Sequence, residues 1–230
     1  MRLLLLHGAG LGGWIWERVL PSLRAPAAAL ELPGRGGGRD PGEVTLEECV
    51  AFVAGEIERA GRAIVVGHSI GASVAMAAAA RRPEHVPAIV LVGGMVPESG
   101  KPFLSLLPPP ARLVLRLMLR RAKNGIALPP SLVRKEYCND LDEATTELVM
   151  RKLTPEVPRL YLDAVEWSSL PDRVPRTYVK LLNDRSVKPA KQDAIAARTG
   201  ASVVTIDSGH LPMLARPAEL AAVLNELSAR

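Results

Sequence analysis

Short apolar runs alternate with helical patterns along most of this chain, and this alternation constrains the fold more than any other feature of the sequence. Six runs predict strands: Leu3–Leu6, Ala28–Leu32, Ala63–Val66, Ala88–Val92, Thr177–Leu182 and Ser202–Ile206. Five segments predict helices: Trp14–Leu23, Thr45–Ala60, Ile70–Arg82, Lys188–Thr199 and Arg216–Ala229. Because the strand runs are apolar almost throughout, we expect strands that are covered on both faces. The pattern predicts an α/β fold with a mostly parallel six-stranded sheet and helices on both of its faces.

Residues 95–175 interrupt this alternation. The stretch is rich in proline and in short helical patterns, and no strand is evident in it. It lies between two predicted strands and shows neither a clear linker nor a core of its own, so we expect a helical cap inserted into the main domain. The predicted division is residues 1–94 and 176–230 for the core, and residues 95–175 for the cap.

Composition excludes several classes of function. The 230 residues carry a net charge of +5, but only eight of them are aromatic, too few for the stacking that nucleic-acid binding uses. Cys49 and Cys138 are far apart and fit neither a disulfide framework nor a zinc site. Leu3–Leu6 is too short for a signal peptide, and no apolar run is long enough to span a bilayer. We therefore expect a cytoplasmic protein with no metal and no cofactor.

Glycine-rich segments could suggest nucleotide binding, but they lack the required spacing. Gly34–Gly38 has no Lys-Ser/Thr pair after it and is predicted to be a loop rather than a phosphate cradle. The glycines of residues 8–13 do not form a good GxGxxG that opens a helix, and Glu31 is followed by Pro33 and a glycine. A dinucleotide fold is therefore disfavoured.

The sequence Gly67-His68-Ser69-Ile70-Gly71 follows a predicted strand and opens a predicted helix, which is the context of a G-x-S-x-G nucleophile elbow. In such an elbow the serine stands on a sharp, strained turn, and the glycines on either side allow the backbones to pack closely. The start of the following helix favours negative charge near the serine. The motif predicts Ser69 as a nucleophile, against the alternative of a turn without chemistry.

A serine nucleophile needs a base, and the chain has four histidines. His7 and His68 lie inside predicted turns, and His85 follows the end of a helix, where we expect it to face solvent. His210 follows the last predicted strand, at the sheet edge from which a base can reach Ser69. His210 is the predicted base, and activity should rise with pH through one ionisation near neutrality.

The third member of such a group is an acid that follows an intermediate strand. Asp184 stands at the carboxyl end of the run Thr177–Leu182 and is the predicted acid. Asp207 is the rival, but it is so close to His210 in sequence that a turn or cap role is favoured. Asp172 precedes the strand and so lies at the opposite edge.

Acyl transfer also needs donors for a developing oxyanion. The backbone N–H of Ile70, directly after the nucleophile, is the first predicted donor. The second should come from the glycine-rich loop after the first strand, where the N–H of Ala9 is the predicted donor.

These segments together resemble the branch of the α/β-hydrolase superfamily that contains plant methylesterases, hydroxynitrile lyases and many small bacterial esterases. The matching segments, in the order of that family, are His7-Gly8-Ala9, Gly12-Gly13-Trp14, Leu32-Pro33-Gly34, Gly67-His68-Ser69-Ile70-Gly71, Tyr178 to Asp184, and Gly209-His210. The resemblance implies an α/β-hydrolase fold, the triad and donors named above, and a cap that shapes an acyl pocket. It implies a carboxylesterase that acts through an acyl-enzyme on small to medium, largely apolar esters.

Two other functions stay open at this stage. The lyases of this branch generally carry a hydroxyl residue where this chain has Gly8, and a lysine where it has Leu211. Without a cation for the departing cyanide, the lyase and other C–C or C–N cleavages lose support. A non-catalytic ligand-binding protein would not need an intact serine, histidine and aspartate.

The substrate pocket and the partners are less constrained. Beside Ile70, we expect the pocket to include Leu11, Met95, Trp167 and Met213, because they are near the triad in sequence or lie in the cap. The expected partner is a small-molecule ester, and the sequence leaves open a monomer or a homodimer.

A basic stripe runs through the predicted cap. Between Ser99 and Lys135 there are eight basic residues and no acidic one, and Arg112, Arg116 and Arg120 recur every four residues. The favoured interpretation is an amphipathic helix that lays leucines over the active site and leaves a solvated basic edge. The alternatives are contact with an anionic membrane surface and attraction of anionic substrates.

Overall fold

The computed structural model describes residues 1–36 and 39–229, so Gly37 and Gly38 of the predicted glycine-rich loop, and Arg230, lie outside the described residues. The strands are β1 Arg2–Leu6, β2 Ala27–Leu30, β3 Ala63–His68, β4 Ile89–Val92, β5 Lys101–Pro102, β6 Ala164–Val165, β7 Arg176–Leu181 and β8 Ser202–Ile206. The α-helices are α1 Leu46–Ala60, α2 Gly71–Arg81, α3 Pro109–Arg121, α4 Pro130–Leu132, α5 Glu143–Lys152, α6 Arg159–Leu162, α7 Pro189–Thr199, α8 Pro212–Ala215 and α9 Pro217–Ser228. A π-helical turn, Val133–Tyr137, follows α4.

Six strands form one parallel sheet in the order β2-β1-β3-β4-β7-β8, which confirms the predicted fold class. The chain leaves β1 towards one side of the sheet and returns through β3 on the other side, so the loops after these two strands meet at a topological switch point. Parallel strands have their carboxyl ends at one edge. The segments that follow β1, β3, β7 and β8 therefore share that edge, and these are the segments that carry the predicted site.

The two faces of the sheet are covered by two separate apolar clusters. Along β1, Leu4 and Leu6 belong to the cluster with α1 and α2, whereas Leu3 and Leu5 belong to the cluster with α9. Successive side chains of a strand point to opposite faces, so an unbroken leucine run supplies both clusters at once. This burial on both faces is why β1 and β3 contain almost no polar residues.

Two local predictions at helix starts have different outcomes. The predicted capping box at the start of α1 is confirmed: Thr45 Oγ1 accepts from the N–H of Glu48, whose carboxylate accepts from the N–H of Thr45. The predicted helix Trp14–Leu23 is wrong, since the structure has two 3-10 turns there, Gly13–Trp16 and Leu20–Ser22. Pro21 lacks an N–H and disfavours helical backbone at the residue before it, which prevents one continuous helix.

Residues 95–175 form α3 to α6 and also a short antiparallel pair, β5 with β6, which the sequence did not predict. Two residues per strand are too few to show a period of two in the sequence. The role of this segment as a cap stays a prediction. Among the described residues, every helix is too short or too polar to cross a lipid bilayer.

Candidate active site

Ser69 occupies a strained turn between β3 and α2. Its φ of +52° is the only positive φ of a non-glycine residue in the described chain. Such a conformation is costly and persists only when the surroundings impose it. Here the N–H of Ser69 donates to the carbonyl of Val92 (3.1 Å), and its own carbonyl accepts from the N–H of Met95 (2.9 Å). Both bonds hold the turn against the end of β4.

The glycines on either side of Ser69 are required by close backbone contacts. A Cβ on Gly67 would lie 2.6 Å from Cα of Ala72, and a Cβ on Gly71 would overlap the carbonyl oxygen of His7. Neither neighbour can move, because each is backbone. The G-x-S-x-G spacing thus follows from the packing of the loops after β1 and β3.

His210 and Asp184 form a buried pair at the same edge. Nδ1 of His210 lies 2.8 Å from Oδ2 of Asp184, and both side chains are fully buried. The other carboxylate oxygen, Oδ1, accepts from the N–H groups of Ser186 and Val187, at 2.8 Å each. The carboxylate is thereby fixed, and it holds the proton of neutral His210 on Nδ1. Nε2 is then an acceptor, and it is buried with no hydrogen-bond partner within the described residues.

The other two acids that the sequence analysis weighed do not contact His210. Asp207 is exposed and accepts from the side-chain amide of Asn183 at 2.6 Å. Asp172 is exposed, 3.7 Å from Arg176. The structure therefore brings Asp184, and neither of these alternatives, to His210.

Two rings that the sequence did not single out for this role enclose His210. The His68 ring lies 4.8 Å from it and the Tyr137 ring 4.7 Å, measured between centroids. Nε2 of His68 donates to the carbonyl of His210 at 2.9 Å. Burial, and then the neighbouring His210, hold the pKa of His68 well below its usual range, so it acts as a neutral donor. His68 stands beside Ser69 in the sequence, and its hydrogen bond ties the loop of His210 to the turn at Ser69.

The loop that carries His210 is also held from residues 95–175. Oδ2 of Asp140 accepts from the N–H of Gly209 at 2.5 Å and from the hydroxyl of Ser208 at 3.2 Å. The side chain of Asn139 donates to the carbonyl of Asn183, directly before Asp184. No signal in the sequence identifies these contacts, because they join segments that are distant along the chain.

The backbone N–H groups of Ala9 and Ile70 have no hydrogen-bond acceptor in the described part of the chain, and both residues line the cavity that contains Ser69. Ile70 precedes the first residue of α2, where helix N–H groups lack partners within the helix. The two amides are thus left without an acceptor at this cavity, and their role as oxyanion donors stays a prediction.

A buried ion pair supports the loop that carries Ala9. Arg35 pairs with Glu156, and both side chains are almost completely buried. The carboxylate of Glu156 accepts from the N–H of Gly10 at 2.9 Å, and Nε of Arg35 donates to the carbonyl of Leu11 at 3.1 Å. The pair fixes the backbone on both sides of Gly10, and sequence analysis missed both of its members.

A cavity of about 410 Å³ opens above Ser69. Of the residues that the sequence assigned to the pocket, Ile70 and Met95 line this cavity, whereas Leu11 and Met213 are fully buried in the apolar cluster with α9 and do not line it. Trp167 packs against the other cluster and donates from Nε1 to the carbonyl of Pro97 at 3.0 Å. Nearness to the triad in sequence does not determine which face of a loop meets the cavity. The outer lining comes largely from residues 95–175, for example Phe103, Leu115, Leu119, Leu128, Tyr137 and Tyr161.

The two cysteines offer no alternative nucleophile. Both are buried and free. Burial raises the pKa of Cys49 to about 12 and that of Cys138 to about 11, so neither forms a thiolate near neutral pH. Within the described residues, no three histidine, cysteine, aspartate or glutamate side chains are grouped so that they could hold a metal ion.

Comparisons with known proteins agree with this geometry. Methylesterase 18 of Arabidopsis thaliana is 25% identical over 247 residues, which cover 94% of this chain and 92% of that protein. Lipase LipV of Mycobacterium tuberculosis is 29% identical over 249 residues, covering 97% and 91%. A solved extracellular alpha/beta-hydrolase from a Paenibacillus species superposes with a TM-score of 0.87 at 20% identity, covering 98% of each chain.

The family itself follows from a match along the whole chain. The resemblance to the methylesterase-like branch that the motifs indicated is confirmed by these relatives. A family model described as the alpha/beta hydrolase family matches residues 3–223. This chain therefore belongs to the alpha/beta hydrolase family.

Proposed function

We propose that this protein is a serine carboxylic-ester hydrolase that works through an acyl-enzyme. Ser69 is the nucleophile, His210 the base and Asp184 the acid that orients it. The observation that carries the proposal is the buried His210–Asp184 pair at 2.8 Å, whose free Nε2 has no partner at the edge where Ser69 stands. Sequence similarity supports the general activity, carboxylic-ester hydrolysis, since the two relatives named above, which align along nearly the whole chain, are a methylesterase and a lipase.

The first half of the reaction forms the acyl-enzyme. Oγ of Ser69 attacks the ester carbonyl while Nε2 of His210 takes its proton. The carbonyl oxygen becomes an oxyanion, which accepts from the N–H groups of Ala9 and Ile70. The intermediate collapses, the C–O bond to the alcohol breaks, and His210 returns the proton to the leaving oxygen.

The second half releases the acid. Water gives a proton to Nε2 of His210 and attacks the acyl carbon, and the same two N–H groups accept the second oxyanion. Collapse breaks the bond to Oγ of Ser69, which recovers its proton from His210. Asp184 accepts from Nδ1 throughout, so it holds the productive tautomer and stabilises the imidazolium in both halves.

The cavity favours apolar substrates of small to medium size. A volume of about 410 Å³ lies within the range of small-molecule sites, and most of the lining side chains are apolar. We propose that residues 95–175 form a cap, because they provide the outer lining and also anchor the His210 loop through Asp140. The two free buried thiols support a location in the reducing cytoplasm.

One contact favours hydrolysis over cyanohydrin cleavage. A Cβ on Gly8 would lie 2.7 Å from Nδ1 of His68 and 3.0 Å from Cβ of Ser69, so the hydroxyl residue of the lyases does not fit here. Leu211, directly after the base, is fully buried and supplies no cation. A departing cyanide would therefore find no electrostatic partner at these two positions.

The proposal is tested by hydrolysis of a series of p-nitrophenyl esters with the wild type, Ser69→Ala and Ser73→Ala. Ser73 is a buried serine on α2, so its variant controls for disturbance near the elbow. We expect the wild type to turn over short esters, Ser69→Ala to fall to background, and Ser73→Ala to keep activity within about fivefold. A fluorophosphonate should add its mass to Ser69 in the wild type alone.

Other outcomes point elsewhere. Equal activity of wild type and Ser69→Ala would show that Ser69 is not the nucleophile. Cyanohydrin cleavage without ester hydrolysis would favour the lyase, and inactivity on both substrates would favour a ligand-binding protein.

A further inference from the structure

Helix α3 exposes an unusual number of large apolar side chains. Leu113 is 71% exposed, Val114 62%, Leu117 52% and Met118 56%, while Leu119 is the only buried residue of the helix. The described part of the chain has eight exposed large apolar side chains, and half of them lie on this one helix. The sequence favoured a helix that lays its leucines over the site, and the structure shows this for Leu115 and Leu119, whereas Leu113 and Leu117 face outwards. A contiguous exposed patch of this kind marks an interaction surface.

The same region is strongly cationic. The eight basic residues between Ser99 and Lys135 have no acidic residue among them in the sequence. Among the described residues, Arg116, Arg120 and Arg121 make no ion pair with a carboxylate. These arginines are exposed, so their charge faces solvent next to the apolar side chains.

The helical period places the two kinds of side chain side by side. At about 100° per residue, Arg112, Arg116 and Arg120 form one stripe along α3, and Leu113 and Leu117 form the adjacent one. Val114 and Met118 continue the apolar face beyond the leucines. The outer face is therefore an apolar strip with a row of guanidinium groups along its edge.

We propose that this outer face of α3 docks on an anionic lipid bilayer. The apolar strip would enter the boundary between headgroups and acyl chains, and the arginine row would meet the lipid phosphates, which accept paired hydrogen bonds from guanidinium groups. An interfacial helix requires this arrangement of an apolar face beside a basic one.

Charge decides against a second copy of this chain as the occupant. A two-fold contact would place the same patch on both partners, so arginine rows would face each other without acids to neutralise them. An anionic bilayer supplies the missing charge, with about 1 kcal/mol of attraction for each basic residue near the surface.

The position of α3 connects this membrane contact with the cavity above Ser69. Leu115 and Leu119, on the inner face of the helix, line the cavity above Ser69, and Met118 reaches it from the edge. Docking would thus bring one wall of the cavity against the lipid, where apolar molecules are concentrated. The docking proposal does not depend on ester hydrolysis, since it concerns only the outer face.

The test is flotation of the full chain with vesicles, either of phosphatidylcholine alone or of equal parts phosphatidylglycerol and phosphatidylcholine. We expect the wild type to float only with the anionic vesicles, and less at high salt. Arg116→Gln/Arg120→Gln should lower the partition coefficient by about 10- to 30-fold. Leu113→Gln/Leu117→Gln should lower it by about tenfold, without a change in thermal unfolding.

Matched controls separate this patch from general charge and hydrophobicity. Arg62 and Arg173 are exposed at the opposite edge of the sheet, and Val203 is an exposed apolar residue on β8. Arg62→Gln/Arg173→Gln and Val203→Gln should float like the wild type. Equal losses in the controls, or no flotation of the wild type, would overturn the proposal. So would a wild-type dimer in sedimentation that becomes a monomer in Leu113→Gln/Leu117→Gln.

Discussion

Helices α2 and α3 are similar in length, and the turn that leads into α2 lines the same cavity as α3, yet the two helices are buried to very different degrees. Nine of the eleven residues of α2 are buried, whereas only Leu119 of the thirteen residues of α3 is. Helix α2 is rich in alanine and packs closely between the sheet and α1. Helix α3 has prolines at its start and meets only a few neighbours through one edge.

The difference in burial between α2 and α3 suits two different roles. A nucleophile, its base and two oxyanion donors must keep their relative positions within fractions of an ångström, and a close-packed helix start provides that rigidity. A surface that meets a variable partner needs exposed side chains rather than fixed ones. In the proposed function, the inner wall of the cavity, formed by Ala9, Ser69 and Ile70, carries the chemistry, and the outer wall, formed in part by α3, is free to carry the proposed docking surface.

Loss of activity should be greatest when Asp184, the acid of the proposed triad, is replaced. Asp184→Asn should lower kcat for a p-nitrophenyl ester by about 10²- to 10⁴-fold, because the amide no longer holds the required tautomer of His210. Asp207→Asn, the exposed rival, should leave kcat within about twofold. If Asp207→Asn loses activity and Asp184→Asn keeps it, Asp207 is the acid and the proposed triad is wrong.

Not every residue of the segment 95–175 is exposed like those of α3, since Glu156 is fully buried. Glu156→Gln should lower the free energy of unfolding by about 3–5 kcal/mol, since Arg35 loses its buried counterion. The exposed pair Arg134–Glu147 in the same segment is the control, and Glu147→Gln should cost below about 1 kcal/mol. Urea unfolding measures both, and similar losses would contradict the distinction.

Truncating one apolar side chain on each helix measures how much each helix face contributes to stability. Met76→Ala on α2 removes a fully buried side chain and should cost about 2–5 kcal/mol. Leu117→Ala on α3 removes an exposed one and should change stability by less than about 0.5 kcal/mol. Equal costs in urea unfolding would mean that the outer face of α3 is covered in solution.

Buried His7, at the start of the loop that carries Ala9, should also make stability depend on pH. Burial, and then the nearby Arg35, lower the pKa of His7 to about 3, from 6.5 for an ordinary histidine. Below pH 6.5 the unfolded chain therefore binds a proton that the folded protein excludes, and stability falls as the pH decreases towards 3. The expected slope from this residue is about 1.4 kcal/mol per pH unit.

His7→Gln isolates this contribution. Urea unfolding at several pH values between neutral and mildly acidic should give a curve that is flatter than that of the wild type by about this slope. Parallel curves would show that His7 takes up a proton in the folded state.

Sequence reasoning was most reliable where a residue type satisfies a local requirement. The six sheet strands were predicted because an unbroken apolar run has few alternatives to burial on both faces. The elbow was predicted because the glycines beside Ser69 are needed for close backbone packing. The prediction of a helix at Trp14–Leu23 was wrong, because it followed the apolar pattern and gave too little weight to Pro21.

Contacts between distant segments could not be predicted. The support of Gly10 by Glu156, and of Gly209 by Asp140, joins residues more than sixty positions apart, and a single carboxylate in a sequence gives no sign of its partner. The pocket assignments of Leu11, Trp167 and Met213 rested on nearness in sequence. Only the packing of the loops determines which side chains reach the cavity.

From the sequence alone follow the order of the six sheet strands, the turn with Ser69 between β3 and α2, and the positions of His210 and Asp184 after their strands. Those features depend on backbone conformation and on burial, which neighbouring residues specify. Only after folding is it clear that Asp184 contacts His210, that a buried Arg35–Glu156 pair holds the loop of Ala9, and that α3 turns Leu113 and Leu117 outwards. Each of these depends on which surfaces meet after folding, and a helical or strand period gives an apolar face without saying what covers it.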